Sequence, residues 1–253
     1  MSVGFGLDLA GYSKPQSTVL VGIVSHGISA EAIILQESPF GKKISGPFQN
    51  RLKAESLALS DLLRLGKLAV DVPIDLDGLP NADATEAWQL TMRPIDQELK
   101  ALAPLASWLG ACSARFRAIM THEHQEALGE KLFETYPKAS LEKMLGQQSG
   151  ALKKYKHTLS DDRSDAENAR KCLCGDLKIR SPNLPLTHDE IDAVICAIAA
   201  VADREFLMEE RQEFGLAEGQ RLPNGFRILK ENPFQNIEVS KISYDDGLKK
   251  FKK

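Results

Sequence analysis

Residues 3–11 read Val3-Gly4-Phe5-Gly6-Leu7-Asp8-Leu9-Ala10-Gly11, and their reading decides the fold. Small and apolar side chains alternate over 3–9, the pattern of a strand, and Gly11 to Gln16 follows as a turn rich in Gly, Ser and Pro. One residue does not belong in an apolar strand. The Asp8 carboxylate is costly to bury unless it is paired, hydrogen-bonded or bound to a cation.

Working outward, Ser17 to Val24 and Ala30 to Gln36 read as two further strands, with His26-Gly27 between them as a hairpin signal. Leu52, Leu57, Leu59, Leu62, Leu63 and Leu65 recur at helical spacing over 51–65, Gly66 stops that helix, and 67–72 is a fourth strand. A loop spans 73–81. Residues 85–102 are expected to be helical with an interruption at Pro94, and 105–130 mostly helical. A fifth strand over 131–136 ends at Pro137. A short helix over 139–145, a basic loop over 146–157, a helix over 161–177, a proline-bracketed linker over 181–185 and a long helix from Thr187 to about Arg211 complete the expectation. From Gly215 onward the pattern is turn-rich, with short strands expected near Phe226–Leu229 and Ile237–Val239. The organisation is therefore α/β: a domain over 1–212 carrying a helical insertion at about 74–130, and an appendage over 213–253, peripheral enough that the core should fold without it.

Asp8 has counterparts elsewhere. Asp71 ends the apolar run Leu68-Ala69-Val70, Glu134 sits in Leu132-Phe133-Glu134-Thr135-Tyr136-Pro137, and Asp189 and Asp192 lie three apart on one helix face. Each has a plain reading beside the functional one. Asp8 fits equally a turn carboxylate holding the Ala10-Gly11 bend. Asp71 fits a strand-end turn, and Glu134 a solvated strand face. Glu190 completes a capping box with Thr187, and Asp189 fits a first-turn acid favoured by the helix dipole. Asp192 resists such a reading. Residues 193–202 are all apolar, so its carboxylate enters a packed region and needs a partner. A divalent cation is the economical common explanation. Hard carboxylate oxygens bind Mg²⁺ at about 2.0–2.1 Å, and a pair of ions about 4 Å apart serves phosphoryl chemistry.

Net charge is −3 with a pI of about 6.0, so nothing draws nucleic acid to the molecule as a whole. Local clusters must do so. Lys42, Lys43, Lys153, Lys154 and Lys156 are the candidates for phosphate contacts. His122-Glu123-His124 is poor metal spacing on a helix. Cys172-x-Cys174 lacks a second cluster for zinc, so Cys112, Cys172, Cys174 and Cys196 read as reduced thiols. No leader, membrane span, Walker loop, dinucleotide fingerprint or Gly-x-Ser-x-Gly elbow is evident, and the expected compartment is cytoplasmic.

A set of short segments resembles a known family. Gly6-Leu7-Asp8-Leu9-Ala10-Gly11, Val70-Asp71-Val72-Pro73, Arg93-Pro94-Ile95-Asp96, Phe133-Glu134-Thr135-Tyr136-Pro137-Lys138-Ala139, Lys154-Tyr155-Lys156 and Asp189-Glu190-Ile191-Asp192-Ala193-Val194 resemble, in order, the predicted RNase H-like nucleases of domain of unknown function 429. The likeness covers about 3–205. It implies an RNase H-like mixed sheet of about five strands with helices on both faces. The final helix is also similar to that of bacterial Holliday-junction resolvases, whose last helix carries two metal-binding acids three apart followed by alanine. The resemblance implies Asp8, Asp71, Asp189 and Asp192 as ligands of Mg²⁺ or Mn²⁺, with Asp8, Asp71 and Asp192 catalytic. Glu134 joins them as a candidate ligand. The insertion at 74–130 departs from the pattern and is expected to cap the site. The expected function is a metal-dependent nuclease acting on DNA or RNA. The alternatives are a non-catalytic or regulatory binding module on the same fold and, with no phosphate loop to support it, a phosphotransferase.

Overall fold

The computed structural model describes residues 1–42, 47–77, 79, 86, 90–104, 107–146, 149–156, 163–182 and 185–252. Strands β1 (Ser2–Asp8), β2 (Val19–His26) and β3 (Ser29–Gln36) form an antiparallel meander. Gly27 turns the hairpin at φ 62°, the left-handed conformation that glycine adopts without a Cβ clash. Helix α1 (Phe48–Leu65) then returns the chain so that β4 (Lys67–Val70) lies parallel to β1, and β5 (Leu132–Glu134) lies parallel to β4.

Between β4 and β5 come α2 (Pro94–Glu98), α3 (Ser107–Ile119) and α4 (His122–Glu126). After β5 come α5 (Pro137–Leu145), α6 (Gly150–Lys154), α7 (Arg163–Asp176), β6 (Ile179–Arg180) and α8 (His188–Val201). The chain continues through β7 (Leu207–Met208), β8 (Ile228–Leu229), β9 (Asn236–Ser243) and α9 (Tyr244–Phe251). Among the described residues seven strands form one mixed sheet in the order β5-β4-β1-β2-β3-β9-β6, and β7 pairs with β8 apart from it.

Helices cover both faces of the sheet. On one face Phe5, Leu7, Leu68 and Val70 pack with Leu59 and Leu62 of α1, Phe116 of α3 and Phe251 of α9. On the other, Val21, Ile23, Ala69 and Phe133 pack with α8, every residue of which from Glu190 to Val201 is buried. The α8 contact is unusually close. A Cβ on Gly6 would lie 2.1 Å from the Ala193 carbonyl oxygen and 2.2 Å from the Ala197 nitrogen, so the bare strand touches the helix backbone. Alanines on the helix and glycines on the strand make that approach sterically possible.

The structure differs from the sequence reading in three larger features, and the expected basic loop over 146–157 contains helix α6 (Gly150–Lys154). The sheet has seven strands where about five were expected, because β6 and β9 extend it beyond β3. The segment 213–253 is no peripheral appendage: β9 lies between β3 and β6 and pairs with β3 from Ser29↔Asn236 to Gln36↔Ser243. Its Ile237 and Val239 are buried, and Phe251 of α9 meets Phe5 edge-on at 5.1 Å. Turn-rich sequence between these elements hides a strand whose partners are remote in the chain. Finally, the helix expected to reach Arg211 ends at Val201, where the apolar run gives way to Asp203-Arg204-Glu205 and Leu207-Met208 pair with β8. Within the expected helix 85–102 the described helical residues are Pro94–Glu98, and 80–85 and 87–89 lie outside the described residues. No described helix is long and apolar enough to cross a membrane.

A chain truncated after residue 212 loses β9 and α9, leaving β3 without its parallel partner and Gly22 without the Phe251 ring that covers it. The expected outcome is loss of a cooperative urea transition, followed by circular dichroism. A sharp two-state transition in the truncated chain would contradict the role given to β9.

Candidate active site

Three neighbouring parallel strands end together. Asp8 closes β1, Asp71 follows β4, and Glu134 closes β5. The backbone holds them in step: the Asp71 amide donates to the Leu7 carbonyl at 3.0 Å, and the Thr135 amide to the Val70 carbonyl at 3.0 Å. Ligand sites in α/β proteins gather outside the carboxyl ends of such strands. The first turns of α8 arrive at the same edge, because Ala193 is the residue pressed on Gly6, two positions before Asp8. Thr187 starts the helix there, accepting from the Glu190 amide at 3.1 Å while Glu190 accepts from the Thr187 amide at 2.9 Å. Asp189 and Asp192 are thereby aimed at the strand ends.

Asp8, Asp71, Asp189, Asp192 and Glu134 line one cavity of about 600 Å³. Asp192 is 1% exposed and has two partners: Tyr155 donates its hydroxyl to Oδ1 at 3.1 Å, and Lys156 Nζ lies 2.6 Å from Oδ2. Asp189 pairs with the neighbouring His188 at 2.8 Å. Asp8 and Asp71 are half-buried, and among the described residues neither carboxylate has a hydrogen-bond or ion-pair partner.

The electrostatics follow. Burial, then the charges of Asp71, Asp192 and Asp189, push the Asp8 carboxyl well above the usual carboxylate range, against the opposing pull of Lys156. Burial and Asp192 push Asp71 up to about 7. Asp192 is also raised by burial, although Lys156 and Tyr155 oppose it. Burial alone would lower Lys156, but Asp192, Tyr155 and Asp71 outweigh it and hold the ammonium charged. Tyr136, on the cavity wall, is pushed up to about 12 by burial and Asp71. One lysine therefore faces a group of acids that it cannot neutralise.

Glu134 belongs to a different assembly. Arg93, 3% exposed, donates to it at 2.6 and 3.0 Å and to Asp96 at 2.8 and 2.9 Å, and the Ile74 amide donates to it at 2.8 Å. Burial raises the Glu134 carboxyl, and Arg93 counters it. The contacts from Arg93 and the Ile74 amide make Glu134 an anchor for the segment over the cavity, and they account for its burial without a cation. Arg93 and Tyr155 were not singled out from the sequence as site residues. Their signals were Arg93-Pro94-Ile95-Asp96 and Lys154-Tyr155-Lys156, present as motifs without an assigned role. Lys156, expected as a peripheral phosphate contact, sits among the acids. Lys154 is exposed and pairs with Asp165 at 2.7 Å, Lys42 and Lys153 are exposed, and Lys43 lies outside the described residues. His124 is buried against the Ser60 hydroxyl at 2.8 Å, away from the cavity lining, and the four cysteines are free.

Among the described residues no three His, Cys, Asp or Glu side chains form a finished metal cluster. The donor set nonetheless suits a hard divalent ion, since Asp8 and Asp71 offer unpartnered carboxylate oxygens side by side and Asp189 and Asp192 flank them. Lys156 meets part of the same charge demand.

A model of the family described as "Protein of unknown function (DUF429)" matches residues 49–207. The match takes in Asp71, Arg93, Glu134, Lys156, Asp189 and Asp192 and begins after Asp8. No curated protein and no solved structure matches the chain.

Replacing Arg93 by alanine strands Glu134 and Asp96 in the interior, and breaking one side of a buried ion pair costs about 3–5 kcal/mol. Urea unfolding of R93A measures it, and a loss within experimental error would mean that the network is not structural. For Asp71 the pH dependence has a definite sign. Its carboxyl titrates near 3.8 in an unfolded chain and near 7 in the fold. The folded state thus retains a proton that the unfolded state has lost, and Asp71's contribution to stability falls as pH rises from about 4 to about 7. Each unit of difference is worth about 1.4 kcal/mol. Without divalent ions, D71N should show a shallower decline of urea midpoint between pH 5 and pH 8 than the unaltered chain, and equal slopes would refute the assignment.

Proposed function

The chain belongs to the DUF429 family, and we propose that it is a metal-dependent nuclease hydrolysing phosphodiester bonds in nucleic acid. One observation carries the reading: Asp8 and Asp71 are adjacent, half-buried and without partners among the described residues, in a cavity that Asp189 and Asp192 also line. A fold retains mutually repelling carboxylates where function needs them, because each raised pKa is a cost to stability. The run β5-β4-β1-β2-β3 with helices on both faces supports an RNase H-like reading of this part of the sheet.

In this reading Asp8 and Asp71 are the primary ligands of Mg²⁺ or Mn²⁺, with Asp189 and Asp192 at the side. A bound divalent ion would supply an activated water and charge stabilisation at the phosphate. The chain's own groups do the rest. Lys156 attracts the phosphate and orients it toward the carboxylates. Tyr155 and Lys156 fix the Asp192 rotamer, and the Arg93–Glu134 pair holds the cavity wall. Apolar Leu9, Val72 and Leu109 limit water around the acids. The Lys156–Asp192 pair favours a second reading, a non-catalytic binding module, since an ammonium at 2.6 Å already occupies one acid.

The two readings separate on D8N. In the nuclease reading the variant folds with an unchanged or higher metal-free midpoint. It binds Mn²⁺ at least about tenfold more weakly by calorimetric titration, and its Mn²⁺-dependent cleavage falls at least about a hundredfold. Absence of Mn²⁺-dependent cleavage of single- and double-stranded DNA and RNA by the unaltered chain would favour the binding module.

A further inference from the structure

We propose that the groove adjoining the carboxylate cavity is a track for the phosphate backbone of a single-stranded nucleic acid, delivering one unstacked nucleotide to Asp8 and Asp71. The inference deepens the nuclease reading and depends on it for the chemistry at the carboxylates. Two cavities share Leu99, Lys100, Lys138 and Lys156. The first holds the acids. The second, of about 920 Å³, adds Lys143 and Lys153, so five lysines line a path that ends at the acids. Its own acids, Glu98, Glu142 and Glu213, only partly offset the five lysines: Glu142 lies 3.8 Å from Lys138, and Glu213 pairs with Lys230 at 3.4 Å outside the groove. Lys100, Lys143 and Lys153 have no ion-pair partner among the described residues, and all three are exposed. A line of unpaired ammonium groups suits a polyphosphate backbone, which the net charge of −3 would otherwise repel.

Lys100 carries the argument further, because its backbone is strained. It stands at the junction of the two cavities with φ 50°, immediately after the cap of α2. The Ala101 amide donates to the Asp96 carbonyl at 2.8 Å and the Lys100 amide to the Gln97 carbonyl at 3.1 Å. That pair of bonds is the helix-ending arrangement in which the left-handed residue is usually glycine. A lysine there carries a conformational cost that glycine would avoid, and backbone outliers of this kind collect at functional sites. Its side chain is what glycine could not supply.

The strand is single rather than duplex on grounds of size and lining. A cavity of about 600 Å³ falls in the range that encloses one small molecule. Leu99, Leu102, Tyr136 and Phe226 on its wall present apolar and aromatic surface to a base, as single-strand binders do. A stacked duplex offers no free base to such a wall.

The test is fluorescence anisotropy with labelled oligothymidylate and oligouridylate of about 12 nucleotides and a blunt DNA hairpin of equal length. It is run in Ca²⁺ at several salt concentrations. The expected result is that at least one single strand binds about tenfold or more tightly than the hairpin, with an affinity that falls steeply with salt. K100G should weaken that binding about threefold or more while its thermal midpoint stays level or rises, and K143A with K153A should flatten the salt dependence. Equal affinity for the hairpin, or a K100G variant that loses stability and keeps its affinity, would overturn the track. Hydrolysis of bis(p-nitrophenyl) phosphate by the unaltered chain with Mn²⁺ reports the nuclease reading separately. Hydrolysis without any preference for single strands refutes the track alone.

Discussion

Everything at the carboxylate cavity depends on the contact of Gly6 with the backbone of α8. No side chain separates strand from helix there, and the Ala193 carbonyl and Ala197 amide occupy the space of a missing Cβ. The contact fixes the depth of α8 to within a fraction of an ångström, because close-packed interiors leave no slack for a helix to slide. Asp192 precedes Ala193, and Asp8 lies two residues beyond Gly6. The distance between two carboxylates of remote sequence is therefore set by van der Waals contact of main chains, the stiffest ruler the fold has.

A second constraint works from the opposite wall. Arg93 is held by two carboxylates, Asp96 on α2, the helix that Arg93 immediately precedes, and Glu134 on β5, and also donates to the Asp75 carbonyl at 2.8 Å. One guanidinium thus ties the segment after β4, helix α2 and the sheet edge together. Its planar fork of donors suits this task as an ammonium would not. Phe214, Phe226 and Ile228 then pack with Ile95 and Ala139 in one apolar cluster beside the same segment. The site is walled by polar ties on one side and apolar packing on the other.

The meander β1–β3, the crossover through α1 to β4, and the capping box of α8 were legible because each is local: alternation, leucine spacing, and Thr187 with Glu190 are visible within a dozen residues. Asp8, Asp71, Asp189 and Asp192 were legible as carboxylates set in apolar segments, and the structure brings them to one cavity. Glu134 carried the same signature for a different reason, since a buried ion pair and a metal site put equal demands on a carboxylate and only the position of Arg93 separates them. Strand β9 reads as a fragment because its main partner, β3, lies some two hundred residues away (Ser29 pairs with Asn236), and nothing in its own eight residues states which edge it will join. Lys156 read as surface charge because its run of basic neighbours is solvated, while its own ammonium turns inward to Asp192.

The place of β9 has a consequence for how the molecule comes into being. During synthesis on a ribosome, β3 is complete long before residues 236–243 emerge, and its unpaired edge must wait through α1, both wall segments and α8. Exposed edges invite pairing with other chains, and contacts between remote segments form slowly. The nascent chain therefore passes through a long interval with one flank of its sheet open. Factors that shield emerging polypeptides should matter more to its yield than to its final stability.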